Sequence, residues 1–178
     1  MKRRLRFLLL LSAAAMAGPV LAQVTSVNGD PNLWRSTDLP DEGPWTEKAV
    51  TLPPFPKEED LIEFYVGPNV SNRFLIDKTS IAPGEDGVVR YTLVILTSGG
   101  ATNVTYEGIR CDLGQVKTYG IGHSDRTWMK PRNADWKPIE NKLVNRHHAA
   151  LRMEYFCTQG IIRSQAEGVA ALKRGPQR

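Results

Sequence analysis

Between Leu61 and Ile121 the apolar positions recur every second residue, in short runs separated by Gly, Pro, Asn and Asp. That period marks strands with one face turned to a core. Leu61–Val66 is the first such run, ended by Gly67-Pro68, and Arg73–Asp77 is the second. Pro83–Gly87 is a turn cluster. Val88–Thr97 is the strongest strand pattern in the chain. Val89, Tyr91, Leu93 and Ile95 line one of its faces, and Val88, Arg90, Thr92, Val94 and Leu96 line the other. Apolar residues on both faces toward its end predict a central strand covered on both sides there. Ser98-Gly99-Gly100 reverses the chain, and Thr102–Cys111 returns. Val104, Tyr106 and Arg110 share one face of this strand; Thr105, Glu107, Ile109 and Cys111 share the other. After a turn at Gly114, Gln115–Ile121 adds a further strand. Strands joined in sequence by short turns predict an antiparallel meander.

The rhythm then changes. Residues 124–141, with Trp128, Pro131, Trp136 and Pro138, carry no period. Asn141–Cys157 reads as a helix, with Leu143, His147, Ala150, Leu151 and Tyr155 close to one stripe. Ser164–Lys173 reads as a shorter helix, with Ser164 at the N-cap and Glu167 three residues on, a capping-box pattern. The fold class is therefore α+β: an antiparallel β-sheet meander with a main C-terminal helix packed on one face. Ahead of the strands, residues 23–57 hold six of the twelve prolines and no period. They read as an extended lead anchored at intervals by Trp34, Leu39, Trp45, Leu52 and Phe55. The organisation expected is a leader (1–22), a Pro-rich lead (23–57), an α+β domain (58–160) and a short helix with a basic tail (161–178).

The first residues change the meaning of the composition. Met-Lys-Arg-Arg-Leu-Arg precedes an apolar run from Phe7 to Ala17, and Val20 and Ala22 stand where a signal peptidase reads small residues. Cleavage is expected after Ala22, with export to the periplasm and no membrane span left in the mature chain. The leader removes four of the 23 basic residues, so 19 Lys and Arg remain against 19 Asp and Glu. The net charge of +4 thus belongs to the leader and gives no ground for nucleic-acid binding. The remaining charge is lopsided: residues 23–116 hold 7 basic and 14 acidic side chains, and residues 117–178 hold 12 and 5. An exported chain with two cysteines is most simply read as one disulfide, Cys111–Cys157, tying the strand that ends at Cys111 to the main helix. Reactive or intermolecular thiols are the alternative.

Candidate chemistry is sparse. No CxxC, His–x₃–His or Gly-x-Ser-x-Gly spacing occurs, and no metal or cofactor is expected. His147 and His148 are helix neighbours about 100° apart, so one is expected to face the core and the other solvent. His123-Ser124-Asp125 resembles a triad only in one dimension. Glu107 and Glu154 are possible acid–base carboxylates, with Arg110 and Arg152 available as ordinary ion partners. The aromatic and cationic residues Arg110, Trp128, Lys130, Arg132, Trp136 and Lys137 suit stacking on an anionic or aromatic small molecule or a glycan. The tentative ligand-binding set is Arg110, Trp128, Arg132, Trp136 and Tyr155, the last brought in by the expected bridge. Against it stands the plainer reading, in which the tryptophans plug the sheet and the cations stay solvated.

Four stretches carry a resemblance. They are Glu85–Val94; Tyr106-Glu107-Gly108-Ile109-Arg110-Cys111; Trp128-x₃-Arg132-Asn133-x₂-Trp136-x-Pro138-Ile139; and Asn145-x₃-Ala149-Ala150-Leu151-x₃-Tyr155-Phe156-Cys157. Together, over about residues 33–160, the chain resembles the CNP-like family, exported proteins of proteobacteria named after a cryptic neisserial protein. The resemblance implies a periplasmic location and no particular activity. The function expected is a non-catalytic binding or envelope-associated module. The alternatives are a structural or assembly partner of an envelope protein, docking through the lead or the tail, and a small hydrolase or transferase near His147, Glu107 and Arg110.

Overall fold

The computed structural model of the chain describes residues 44–176. The leader, the first part of the lead and the last two residues of the tail lie outside the described residues. The alternating pattern becomes an antiparallel sheet. Its strands are β1 (Leu61–Glu63), β2 (Arg73–Pro83), β3 (Val88–Leu96), β4 (Thr102–Arg110), β5 (Gln115–Gly122), β6 (Trp128–Met129) and β7 (Lys137–Pro138). They lie in the order β1-β2-β3-β4-β5-β6, with β7 also on β5. The expected meander is thus present, and the stretch expected to be irregular supplies two short strands. β6 pairs with Ile121–Gly122 and β7 with Gln115–Val116, so both attach to the outer edge of β5.

β2 runs six residues past its expected end. Between Asp77 and Ala82 its register against β3 shifts. Asp77 is buried, and its Oδ1 accepts from the backbone and hydroxyl of Thr79 at 2.8 and 2.7 Å. The Ser80 hydroxyl donates to Asp77 O and accepts from the Thr92 amide, both at 2.8 Å. The polar Asp-Lys-Thr-Ser run that reads as a strand end is thus a bulge whose own side chains replace the missing ladder bonds.

β3 lies in the middle, and its two faces build two layers. Val89, Tyr91 and Leu93 join Phe64, Phe74, Ile76, Ile109, Leu151, Tyr155 and Phe156 in the main core. On the opposite face Leu75, Val94 and Val104 form a smaller cluster, closed by Phe55, Leu61, Leu96 and Trp128. The cover is the reverse of the expected one: Val88–Val94 are all buried, while Ile95 and Leu96 are only half-buried. The difference comes from the lead, whose residues 44–57 lie on this second face and reach the beginning of β3 through Asp86 and Arg90.

The main helix is shorter and less regular than its pattern. A 3₁₀ turn (Leu143–Asn145) leads into α1 (Arg146–Ala150), which widens into a π-helical turn, Leu151–Phe156. Leu143 therefore precedes the helix and is exposed instead of joining the stripe. The wider turn lets two consecutive aromatics, Tyr155 and Phe156, both turn inward. Cys157 follows and is bonded to Cys111, so the expected disulfide is present, with Cα atoms 5.5 Å apart. α2 (Gln165–Arg174) packs on β2, and its N-cap Ser164 accepts from the Glu167 amide at 3.2 Å. Among the described residues no helix is long and apolar enough to cross a membrane.

Candidate functional site

Strand alternation decides where each expected site residue goes. Arg110 shares the lead-covered face with Tyr106, and its guanidinium lies 3.7 Å from the centre of the Trp45 ring. Trp136 meets Trp45 edge-on at 6.1 Å and Tyr119 at 6.4 Å. A carboxylate from the lead sits among them. Glu47 accepts from Lys117 Nζ at 2.7 Å, Tyr119 Oη at 2.8 Å and Trp136 Nε1 at 3.4 Å. Burial works to raise the Glu47 pKa, but these donors outweigh it and hold the carboxyl below its usual range. Burial and the bond to Glu47 push the Tyr119 phenol well up. Arg110 and Trp136 thus form an aromatic–cationic cluster whose acidic and aromatic partners come from the chain itself.

The other three residues lie elsewhere. Trp128 packs on Phe55 at 5.3 Å and donates Nε1–H to Pro53 O at 2.8 Å, pinning the next part of the lead. Arg132 is exposed and lines a separate cleft of about 840 Å³ with Thr102–Thr105, Ile121 and Met129. Tyr155 lies on the opposite side of the sheet, in the main core, with its hydroxyl donating to Tyr65 O at 2.9 Å. Adjacent strand residues point to opposite faces, so the bridge at Cys111 brings Tyr155 to the sheet but not to Arg110.

The helix-facing side of β4 and β5 holds a different constellation. Glu107 is 5% exposed. Its Oε2 lies 2.8 Å from His148 Nε2 and accepts from Tyr91 Oη at 3.2 Å; its Oε1 accepts from Thr105 Oγ1 at 2.9 Å. Burial alone would raise its pKa. The facing His148, then His147 and the Thr105 bond, overcome that and keep the carboxyl below its usual range. The Tyr91 phenol is driven well up by burial and by Glu107, which fixes it as a donor. An ionised carboxylate only accepts, so Nε2 of His148 carries a proton.

His147 differs from its neighbour. It stacks on Phe74 with ring centres 5.0 Å apart, and its Nδ1 is buried without a partner. Burial, helped by His148, depresses its pKa to about 4. His147 is the core-facing histidine. His148 turns to Glu107, with its side chain 15% exposed.

His148 also lines a cleft of about 500 Å³ beside β5. Val116 and Thr118 form one side, and Asn133, Asp135 and Lys137 the other; Asn145 and His148 lie where α1 begins. This cleft and the one containing Arg132 share Thr118 and Asn133, so they adjoin along the edge of β5. Among the described residues no group of three His, Cys, Asp or Glu is placed to hold a metal ion.

The expected grouping of His147, Glu107 and Arg110 is only partly met: Glu107 meets the neighbouring His148, 41 residues on, while His147 stacks on Phe74 and Arg110 lies on the other face against Trp45. The disulfide gives a usable signal. Glu107 lies four strand residues before Cys111, about 13 Å back. His148 lies nine helical residues before Cys157, also about 13 Å back. Two elements running back from one staple bring these positions level.

A one-sheet α+β protein with a disulfide-tied helix and a polar, histidine-bearing cleft is the class that fold and site define. Residues 40–173 match the CNP1-like family, and the chain belongs to it. It is 32% identical over 177 residues to "Cryptic neisserial protein 1" of Neisseria gonorrhoeae, covering 88% of this chain and 87% of that protein. No solved structure matches the chain.

Proposed function

We propose that this chain is an exported, periplasmic envelope module that binds a small polar ligand in the cleft beside β5. The observation that carries the reading is the lining of that cleft. Thr118, Asn133, Asp135, Lys137 and Asn145 present hydrogen-bonding groups around His148, with a buried carboxylate fixing the imidazole from behind. A few convergent polar groups over a small apolar floor are what a ligand seat requires. The aromatic–cationic face supports binding less well, because Trp45 and Glu47 already fill it. The charged leader, its small-residue end and the disulfide support export.

The test is a ligand screen by heteronuclear NMR with small sugars, amino acids and carboxylates. Binding is expected to move the Thr118, Asn133 and Asn145 amides. Asn133→Ala with Lys137→Ala is expected to weaken it at least tenfold while the melting temperature stays put. Shifts confined to residues near Trp45 and Arg110 would move the site to the other face. Export is checked by cell fractionation and N-terminal sequencing, with Gln23 as the expected first residue.

A further inference from the structure

We propose that His148 is the general base of an ester-hydrolysing centre in the β5 cleft, with Glu107 as its positioning residue. The inference rests on that cleft being the ligand seat, and adds a reaction to it.

The geometry has three parts. First, Glu107 is held by three separate donors, His148, Tyr91 and Thr105, so its carboxylate cannot turn away from the imidazole. Second, that contact keeps the proton on Nε2 and leaves Nδ1 as the free nitrogen. Of the two adjacent histidines only His147 has a buried nitrogen without a partner; His148 lines the cleft with Nε2 committed to Glu107, which assigns Nδ1 as the nitrogen open to a bound molecule. Third, residues able to donate hydrogen bonds line the same cleft: Thr118, Asn133, Lys137 and Asn145. A buried carboxylate, an imidazole fixed in one tautomer and an open polar cleft are the parts of a general-base site, whichever fold carries them. A π-helical turn begins at Leu151, three residues after His148, and such turns are frequent at functional sites.

The substrate class is a small polar ester. Among the described residues the cleft is lined by no serine or cysteine, and its one hydroxyl, Thr118, is assigned a donor's role, so the proposed nucleophile is water. His148 Nδ1 takes a proton from water as its oxygen bonds to the ester carbonyl carbon. The negative charge that develops on the carbonyl oxygen is met by Lys137 or a cleft amide. The tetrahedral adduct then breaks its bond to the alcohol oxygen, which takes the proton from Nδ1. A carboxylic acid and an alcohol leave, and the imidazole is restored. Glu107 stays ionised throughout and steadies the imidazolium.

The test uses the exported, disulfide-bonded protein and p-nitrophenyl acetate as probe. Sustained turnover above buffer is expected. His148→Asn should lose about 100-fold of the protein-dependent rate, while His123→Asn, an exposed histidine, should lose none. Glu107→Gln should cost a comparable but no larger factor, because its amide donates to Nε2 and drives the proton onto Nδ1. Imidazole ¹⁵N resonances should report that tautomer switch, which a purely structural loss would not produce. Should a variant fail to fold, carbethoxylation of the wild-type protein mapped by mass spectrometry replaces it: loss of rate should track modification of His148. The proposal is overturned if His148→Asn keeps the wild-type rate, if release stops after one equivalent, or if carbethoxylated His148 leaves the rate intact. p-Nitroacetanilide separates the two readings. If it, or any of the screened sugars, amino acids and carboxylates, shifts the Thr118 and Asn133 amides while the ester is not turned over, the ligand seat stands and only the chemistry falls; no shift with any of them and no turnover sink both.

Discussion

His147 and His148 are neighbours in sequence, yet they sit in different surroundings. His147 is stacked on Phe74 and its pKa is depressed to about 4 from an ordinary 6.5. The unfolded chain therefore binds a proton between those values that the folded chain refuses. The contribution is fully present above about pH 6.5 and is lost as pH falls toward 4, at most about 3 kcal/mol. Urea midpoints measured from pH 7 to 4 are expected to fall, and His147→Leu is expected to flatten that fall. Glu107 acts in a lower window. Its folded pKa is below the usual 4.5, so its contribution is lost only as pH drops beneath that value. Strand parity alone puts Glu107 on the helix-facing side, and helix spacing alone makes His147 the core histidine. Neither tells that the second histidine turns to a carboxylate instead of to solvent, because that depends on how far strand and helix slide past one another.

At the scale of elements, the lead is held by a few strong contacts. Asp86 accepts from both Arg90 guanidinium nitrogens, at 3.1 and 2.6 Å, and from the Lys48 amide at 2.9 Å, while its backbone oxygen accepts from Trp45 Nε1. The two charged side chains are 8% and 1% exposed, so losing either partner strands a buried charge. Asp86→Ala is expected to cost about 3 kcal/mol in chemical denaturation and to open residues 44–57 to limited proteolysis. The sheet meets the lead where it has no side chains. A Cβ on Gly122 would sit 2.7 Å from Val104 Cβ and 2.9 Å from the Phe55 ring. Gly122→Ala is expected to cost about 1–3 kcal/mol and to change Trp128 fluorescence by displacing Phe55. The meander and its turns were legible because each strand carries its own period and its own Gly-rich ending. The β2 bulge was not, since its Asp-Lys-Thr-Ser run looks like a turn until Ser80 is seen bridging to Thr92. The helix was overestimated because a stripe of apolar residues does not record a widening at Leu151–Phe156.

For the molecule as a whole, the disulfide joins the layers that the main core separates. It closes a span of 46 residues and ties the π-helical turn to the end of β4. Reducing it, or replacing both cysteines with Ala, is expected to lower stability by up to about 4 kcal/mol, read as a shift in the urea midpoint. The His148–Glu107 contact should loosen along with it, since both hang from the same staple. Cysteine count, with the export expected from the leader, made the pairing legible. The second layer was only half legible: the lead's aromatics read as anchors, but where they land follows from the bulge at Tyr119. That residue has no partner on β4, so Tyr119 can turn toward Glu47.

The lead also sets an order of events during synthesis. Glu47 meets Trp136, 89 positions later in the chain. At ordinary elongation rates of about 5–20 residues per second, Trp136 is synthesised some 5–20 s after Glu47, and in a chain that crosses a membrane before folding the seat forms later still. Throughout that wait Trp45, Leu52 and Phe55 have nothing to cover. Pro53, Pro54 and Pro56 make the interval safe, because a stretch lacking those backbone N–H groups is a poor template for a foreign strand. The prolines of the extended lead thus act in time, keeping an apolar segment solitary until the sheet built for it arrives.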